Sequence, residues 1–285
     1  MREGSRVAHR STSGTRYWVP GPAPSRRSLA ALLAALALAP TVACKQAPAR
    51  PAAAGQSTGI PADSFPAPSR RVASIVSPRW SNEDTRDRAG EADTVMALLG
   101  IDAGMRVADV GAGSGYYTVR LSPRVGPQGR VYAEDITPRY LRDLRGRVEK
   151  AKLGNVTLVL GDPHDPRLPR QSVDLALLVH MYHEVEQPYG LLHNLYPALR
   201  PGARLAVVDL DRATSSHGTP PAQLRCELLA VGYDRTSVHS LGSGGYLAVF
   251  VPARRPTPGE VRANVADPAF CAAGESPAGA AAAAR

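Results

Sequence analysis

The sequence predicts an α/β fold: a doubly wound, mostly parallel sheet of seven strands with an antiparallel terminal hairpin. Three observations predict it. Short apolar runs alternate with helix-patterned stretches, a glycine-rich turn "VGAGSG" follows the first run, and the last two runs are separated only by "GSGG". Alternation of strands and helices gives a parallel sheet with helices on both faces. A parallel crossover needs roughly a dozen residues or more, so the short last link joins antiparallel neighbours.

The elements follow in order. A helix is expected at about 84–99, then a strand at "MRVADVG" and a helix from about Tyr116 to Pro123. The second strand, "GRVYAEDI", ends at Asp135; Thr137 and Pro138 suit the cap and first turn of a helix in which Leu141, Leu144 and Val148 recur at helical spacing. The third strand is "VTLVL" at 156–160 and the fourth "VDLALLV" at 173–179. A helix carrying Leu191, Leu192, Leu195 and Leu199 ends in the turn "LRPGARL", and "RLAVVDL" at 204–210 is the fifth strand. "AQLRCELLAVG" is a helix stopped by Gly232, and the hairpin strands fall at about 236–241 and 246–251. The folded unit is placed at 76–256.

Charge is uneven along the 285 residues. Residues 1–71 carry ten Lys and Arg against two acidic residues, whereas residues 72–285 carry 24 against 23. The net charge of +9 therefore belongs to the N-terminal segment, and nothing indicates a nucleic-acid partner for the rest. "SRRSLAALLAALALAPTVAC" has Arg26 and Arg27, an apolar run over 29–39, and small residues up to Cys44. This is the order of an export signal, and the run is shorter than the roughly 20 residues a membrane span needs. Ala43-Cys44 resembles a bacterial lipoprotein cleavage point, and Ser25-Arg26-Arg27 a twin-arginine export motif, which implies a chain anchored by lipid to a membrane of the cell envelope. Thr41 stands where lipoprotein signals usually carry Leu, and 25 residues precede the arginine pair; a start downstream of Met1 and a cytoplasmic location is the alternative. Residues 45–75 are rich in Pro, Ala and Ser and read as a flexible linker; residues 257–285 read as a low-complexity tail. Cys226 falls in a helix-like stretch and reads as a small core residue, with a bridge to Cys271 the alternative in an oxidising compartment. No cysteine spacing suits zinc, and no metal site is expected.

The glycine turn carries the chemistry. A phosphate loop requires Gly-Lys-Ser or Gly-Lys-Thr, which is missing, and the dinucleotide fingerprint requires G-x-G-x-x-G, whereas Gly111, Gly113 and Gly115 make G-x-G-x-G after Asp109. Glycine lets backbone approach a ligand closely. Asp109 would repel a pyrophosphate but suits a ligand with a cationic amine or sulfonium.

"VADVGAGSG" resembles motif I of the class I S-adenosylmethionine-dependent methyltransferases, and the element order of 90–252 is similar to that family's Rossmann-like fold. The resemblance implies S-adenosyl-L-methionine as cofactor, held by Asp109, Gly111, Gly113 and Gly115. It further implies that Asp135, 20 residues past Gly115, holds the ribose hydroxyls, and that Asp162 in "LGDPHD" contacts the adenine amino group. Other readings stand beside these. Glu134 takes the ribose role if the strand shifts by one residue, and alternation points only one of the pair at the site. Asp162 precedes Pro163 and suits a turn. His183 in "HMYHEV" follows the fourth strand, at the edge where doubly wound folds bind ligands, and is the candidate catalytic base; a packing or capping histidine is its other reading. His180 and Tyr182 are pocket candidates, Tyr116 and Tyr117 pack on cofactor or sheet, and Trp80 belongs to a candidate lid. These readings define a methyltransferase acting on a small acceptor. A non-catalytic, membrane-tethered binding protein with the same fold is the alternative, since an exported enzyme would lie away from cytosolic cofactor; a nicotinamide oxidoreductase fails on the glycine spacing.

Overall fold

The computed structural model describes residues 59–75 and 83–273. The export-signal segment with Cys44, Trp80 and the last twelve residues lie outside the described residues. Seven strands form one sheet in the order β3-β2-β1-β4-β5-β7-β6. They are β1 (Arg106–Val110), β2 (Arg130–Asp135), β3 (Val156–Leu160), β4 (Val173–Val179), β5 (Leu199–Leu210), β6 (Tyr233–Gly242) and β7 (Gly245–Pro252). The first five are parallel, and β7 runs antiparallel to both β5 and β6. The predicted fold class holds. The hairpin link is only Ser243 and Gly244, both with positive φ (49° and 79°), as a two-residue hairpin turn whose twist matches its strands requires.

Side chains alternate between two apolar layers. Val107 of β1, Val131 and Ala133 of β2 and Leu175 and Leu177 of β4 face a core completed by α2 (Glu91–Leu98), α3 (Thr118–Val125) and α4 (Pro138–Lys150). Ala108, Val110, Ala176 and Leu178 face the other core, closed by α5 (Pro188–Leu195) and α6 (Pro221–Ala230). No helix among the described residues is long and apolar enough to cross a membrane.

Five local expectations are corrected. The helix expected at 84–99 is two, α1 (Glu83–Arg88) and α2, because Gly90 takes a left-handed conformation (φ 63°) between them. "LRPG" belongs to β5 and not to a turn: Pro197 lacks the N–H that would continue α5, Leu199 pairs with Val173, and a register shift before Arg204 absorbs the Pro-Gly pair. The linker reading fails over 59–75. Phe65 is buried in the core, the Ile60 backbone N–H donates to Asn194, and Arg70 forms a buried ion pair with Glu227 at 2.9 Å. This segment packs on α5 at Gly190, His193 and Asn194, and every residue of that helix is buried. The tail reading fails over 258–273, which form α7 (Pro258–Ala266), begun by a Thr257–Glu260 capping box, and α8 (Phe270–Ala273). Cys226 of α6 is bonded to Cys271 of α8, so it is not a reduced core residue.

Candidate active site

A cavity of about 850 Å³ opens at the carboxyl edge of the sheet. Its wall is made by the tips of β1, β2, β4 and β5, and strand order reverses between β1 and β4, where open α/β sheets bind ligands. The volume lies in the upper part of the roughly 300–1,000 Å³ range of small-molecule sites.

The β1–β2 side is a backbone cradle. Gly111, Gly113 and Gly115 all have positive φ, yet they serve different ends. A Cβ on Gly113 would meet nothing within 4 Å, so this glycine faces open cavity. A Cβ on Gly111 would lie 2.9 Å from the Met181 side chain, which covers the turn. A Cβ on Gly115 would fall 2.2 Å from Leu144 Cδ1; this residue does not line the cavity and instead lets the turn press on α4, which corrects its assignment to the cofactor site.

Asp109 is buried at the end of β1 and accepts a 2.6 Å hydrogen bond from Thr118 Oγ1–H. Burial, partly offset by that hydrogen bond, pushes its carboxyl up to about 6. Asp135 ends β2 and accepts from the backbone N–H groups of Gly113 (2.8 Å) and Thr137 (2.7 Å), so the acid and the turn hold each other. Burial raises its pKa, and the two backbone N–H groups oppose the rise. Glu134 also lines the cavity, so alternation does not restrict the site to one of the pair. Its Oε2 accepts from Gly111 N–H at 3.3 Å, while its Oε1 is buried with no hydrogen-bond partner. Burial first, then the Asp135 charge, hold Glu134 well above the usual carboxylate range. Gly161 of "LGDPHD" makes room for this side chain, since a Cβ there would sit 1.9 Å from Glu134 Oε1; that requirement was the missed sequence signal. Asp162 lines the cavity and forms a tight turn with Asp165, and its carboxylate is paired with Arg167, which favours the turn reading.

The β4–β5 side carries the imidazoles. His183 is buried, and its Nδ1 lies 3.0 Å from a carboxylate oxygen of Asp209, itself fully buried near the end of β5. Asp209 also accepts from Thr219 Oγ1–H at 2.7 Å and from Leu210 N–H at 2.9 Å. Such a carboxylate fixes the ring with Nδ1–H toward Asp209 and Nε2 available. Asp209 was not singled out in the sequence because a strand-end acid in "RLAVVDL" has no local signature. His180 lines the cavity and bonds Glu91 of α2 at 3.0 Å. Burial raises the Glu91 pKa, but the His180 hydrogen bond and charge, with Arg86, outweigh it and hold the carboxyl at about 2. Tyr182 does not line the cavity: fully buried, it donates its hydroxyl to Glu227 at 2.7 Å. Tyr116 and Tyr117 do line it, with the Arg86 guanidinium 3.9 Å and 5.3 Å from their ring centres.

The chain is similar to known proteins. Residues 101–234 match the family model described as a methyltransferase domain. The ubiquinone/menaquinone biosynthesis C-methyltransferase UbiE of Pseudomonas fluorescens is 31% identical over 120 residues, 42% of this chain and 47% of that protein. The demethylmenaquinone methyltransferase of Listeria welshimeri is 29% identical over 117 residues, 41% of this chain and 50% of that protein. The chain thus spans about half the length of the curated relatives it matches. A SAM-dependent methyltransferase from Aquifex aeolicus superposes with a TM-score of 0.53 at 27% identity, covering 56% of this chain and 88% of that one. Residues 101–234 are therefore similar to methyltransferase domains, and the chain has the seven-stranded, Rossmann-like methyltransferase fold.

Proposed function

We propose that the protein transfers a methyl group from S-adenosylmethionine to a small acceptor bound beside the β4 and β5 tips. The observation that carries this reading is the cradle: a turn whose middle glycine faces open cavity, locked to Asp135 by its own N–H. The residues present fit the cofactor. Gly113 leaves the space a nucleoside needs, Asp135 offers a carboxylate at the ribose position, and Asp109 offers a buried negative charge to an ammonium or sulfonium. When bound, the cofactor supplies an electrophilic methyl carbon whose bond to sulfur breaks with the electron pair leaving on sulfur. Alignment and exclusion of water account for most of the rate such a displacement requires. His183 Nε2 takes the acceptor's proton as the acceptor's lone pair forms the new bond, and Asp209 stabilises the imidazolium. The test is calorimetric titration of the full-length protein with S-adenosylmethionine. Binding is expected, and Asp135→Ala should weaken it roughly ten- to a hundredfold, the loss of a charge-assisted hydrogen-bond pair. No heat from the wild type overturns the reading.

We also infer that the chain is exported and anchored through Cys44. The Cys226–Cys271 disulfide supports export, since such bonds persist in oxidising compartments, and methyl transfer there requires cofactor supplied outside the cytosol.

A further inference from the structure

The polar cluster at the β5 end of the cavity has a second capacity that proton transfer does not use. One ligand atom each from His183, Glu184 and His217 lie within 4.8 Å of one another. The three residues arrive on two separate segments, the loop after β4 and the loop after β5, which is why their sequence spacing shows nothing. We propose that His183, Glu184 and His217 bind a divalent transition-metal ion of the zinc class, with Asp209 as the outer carboxylate that orients His183.

Four observations carry it. His183 Nδ1 is engaged by Asp209 at 3.0 Å, which leaves Nε2 as the coordinating nitrogen in the carboxylate–histidine–metal arrangement. His183 Nε2 and Glu184 Oε1 are 4.0 Å apart, whereas ligands at about 2.0–2.1 Å from a tetrahedral zinc stand roughly 3.4 Å apart, so rotation of the Glu184 side chain closes the gap. His217 brings an imidazole edge-on to His183, ring centres 5.5 Å apart, and its Nδ1 is buried with no hydrogen-bond partner. It is also held in the left-handed region (φ 56°, ψ 56°), a conformation that persists in a non-glycine residue only where the surroundings fix it. Two imidazoles and one carboxylate select zinc, iron, cobalt or manganese over magnesium and calcium, which favour all-oxygen sets.

Three protein ligands leave coordination open, and all three residues line the cavity. Resting on the methyltransferase reading, the acceptor is then one with an ionisable hydroxyl: the ion lowers that hydroxyl's pKa, the proton passes to water, and the oxygen lone pair attacks the methyl carbon. Metal and proton exclude each other on His183 Nε2, so in the loaded protein the ion replaces the imidazole as the activating group.

The test uses full-length protein stripped with a chelator, titrated with zinc(II) by calorimetry and with cobalt(II) by visible absorption. One equivalent should bind. His217→Ala and Glu184→Gln should each weaken binding at least tenfold while circular dichroism shows a retained fold, and Asp209→Asn should weaken it ten- to a hundredfold. No uptake by the wild type overturns the site, as does uptake that both His217→Ala and Glu184→Gln leave intact. S-adenosylmethionine titration of the stripped protein separates the two readings. Cofactor binding without metal uptake sinks the metal site alone; metal uptake without cofactor binding supports the site and sinks the methyltransferase reading.

Discussion

Gly113 and Gly115 lie two residues apart in one turn, and replacing each with alanine should fail in different ways. Gly113→Ala places its methyl group in open cavity, so the fold bears only the left-handed conformation (φ 54°), about 1–2 kcal/mol for an L-residue. Gly115→Ala bears the same backbone term (φ 86°) and also sets Cβ 2.2 Å from Leu144 Cδ1. Leu144 is fully buried, so its side chain must shift within a packed core, and overpacking of this kind typically costs about 1–3 kcal/mol. The total for Gly115→Ala is about 2–5 kcal/mol, a large part of the roughly 5–15 kcal/mol that holds a domain folded. Urea unfolding reads this as a lower midpoint at unchanged slope. Calorimetry with S-adenosylmethionine reads the other side: Gly113→Ala should lose affinity at least tenfold while still unfolding cooperatively. Equal stability of the two variants would refute the packing role of Gly115. Full affinity in Gly113→Ala would refute the cradle.

Asp109 gives a pH dependence. Its folded pKa of about 6 exceeds the ordinary carboxylate value, so the folded state holds a proton that the unfolded state releases, and stability falls as pH rises from about 4 to 6. Asp109→Asn should make this fall shallower, seen in melts across that window, the remainder belonging to Asp135 and Glu134, whose carboxyls burial also raises; an unchanged slope would refute the contribution of Asp109. For a cationic ligand the sign reverses: affinity rises with pH through about 6 as the carboxylate forms, and Asp109→Asn should remove that step. Arg70→Ala should cost about 3–5 kcal/mol, because it leaves buried Glu227 with the neutral donors of Tyr182 and Gln223 but without its cation, and withdraws donors from the backbone carbonyls of Tyr182 (3.1 Å) and Val185 (3.3 Å); a truncation beginning at residue 72 should melt correspondingly lower, and an unshifted melt would refute the brace. Full-length protein should fractionate with membranes, and Cys44→Ala should abolish its lipid labelling. Soluble, unlabelled wild type would sink the anchor.

The parallel core was legible because its signals are local. β1 through β4 announce themselves as apolar runs bounded by turns, and the glycine motif with Asp135 lies within one strand–turn–helix–strand unit. What escaped was set by distant contacts. Nothing in "GIPADSFPAPSRR" says that Phe65 reaches the core or that Arg70 meets Glu227 157 positions away. Composition favours a linker, and tertiary burial of two residues overrides it. Asp209 is likewise one acid at a strand end until β4 and β5 bring it beside His183. Gly115 was misassigned for the opposite reason. A motif groups its glycines by sequence, whereas the fold separates one that faces a ligand from one that faces a helix.

Two braces, one absent from the sequence reading and the other only its alternative for Cys226, share a location that bears on how the molecule divides its work. Cys226 and Glu227 are neighbours on α6: one is bonded to Cys271 of α8, and the other takes Arg70 of the N-terminal strap and the Tyr182 hydroxyl. Tyr182 precedes His183, and the Ala73 backbone N–H donates to the His183 carbonyl at 3.1 Å. Both flanks therefore converge on the loop that presents His183 and Glu184. The match to the methyltransferase domain model runs over residues 101–234, which excludes the strap, α7 and α8. The cradle at the β1 and β2 tips lies wholly inside the matched segment, whereas the loop of His183 and Glu184 is held by segments outside it. A methyl donor common to many enzymes requires a common cradle; an acceptor particular to one requires a wall of its own, and on the proposed function that wall is the His183–Glu184 loop, braced by segments on either side of the matched residues.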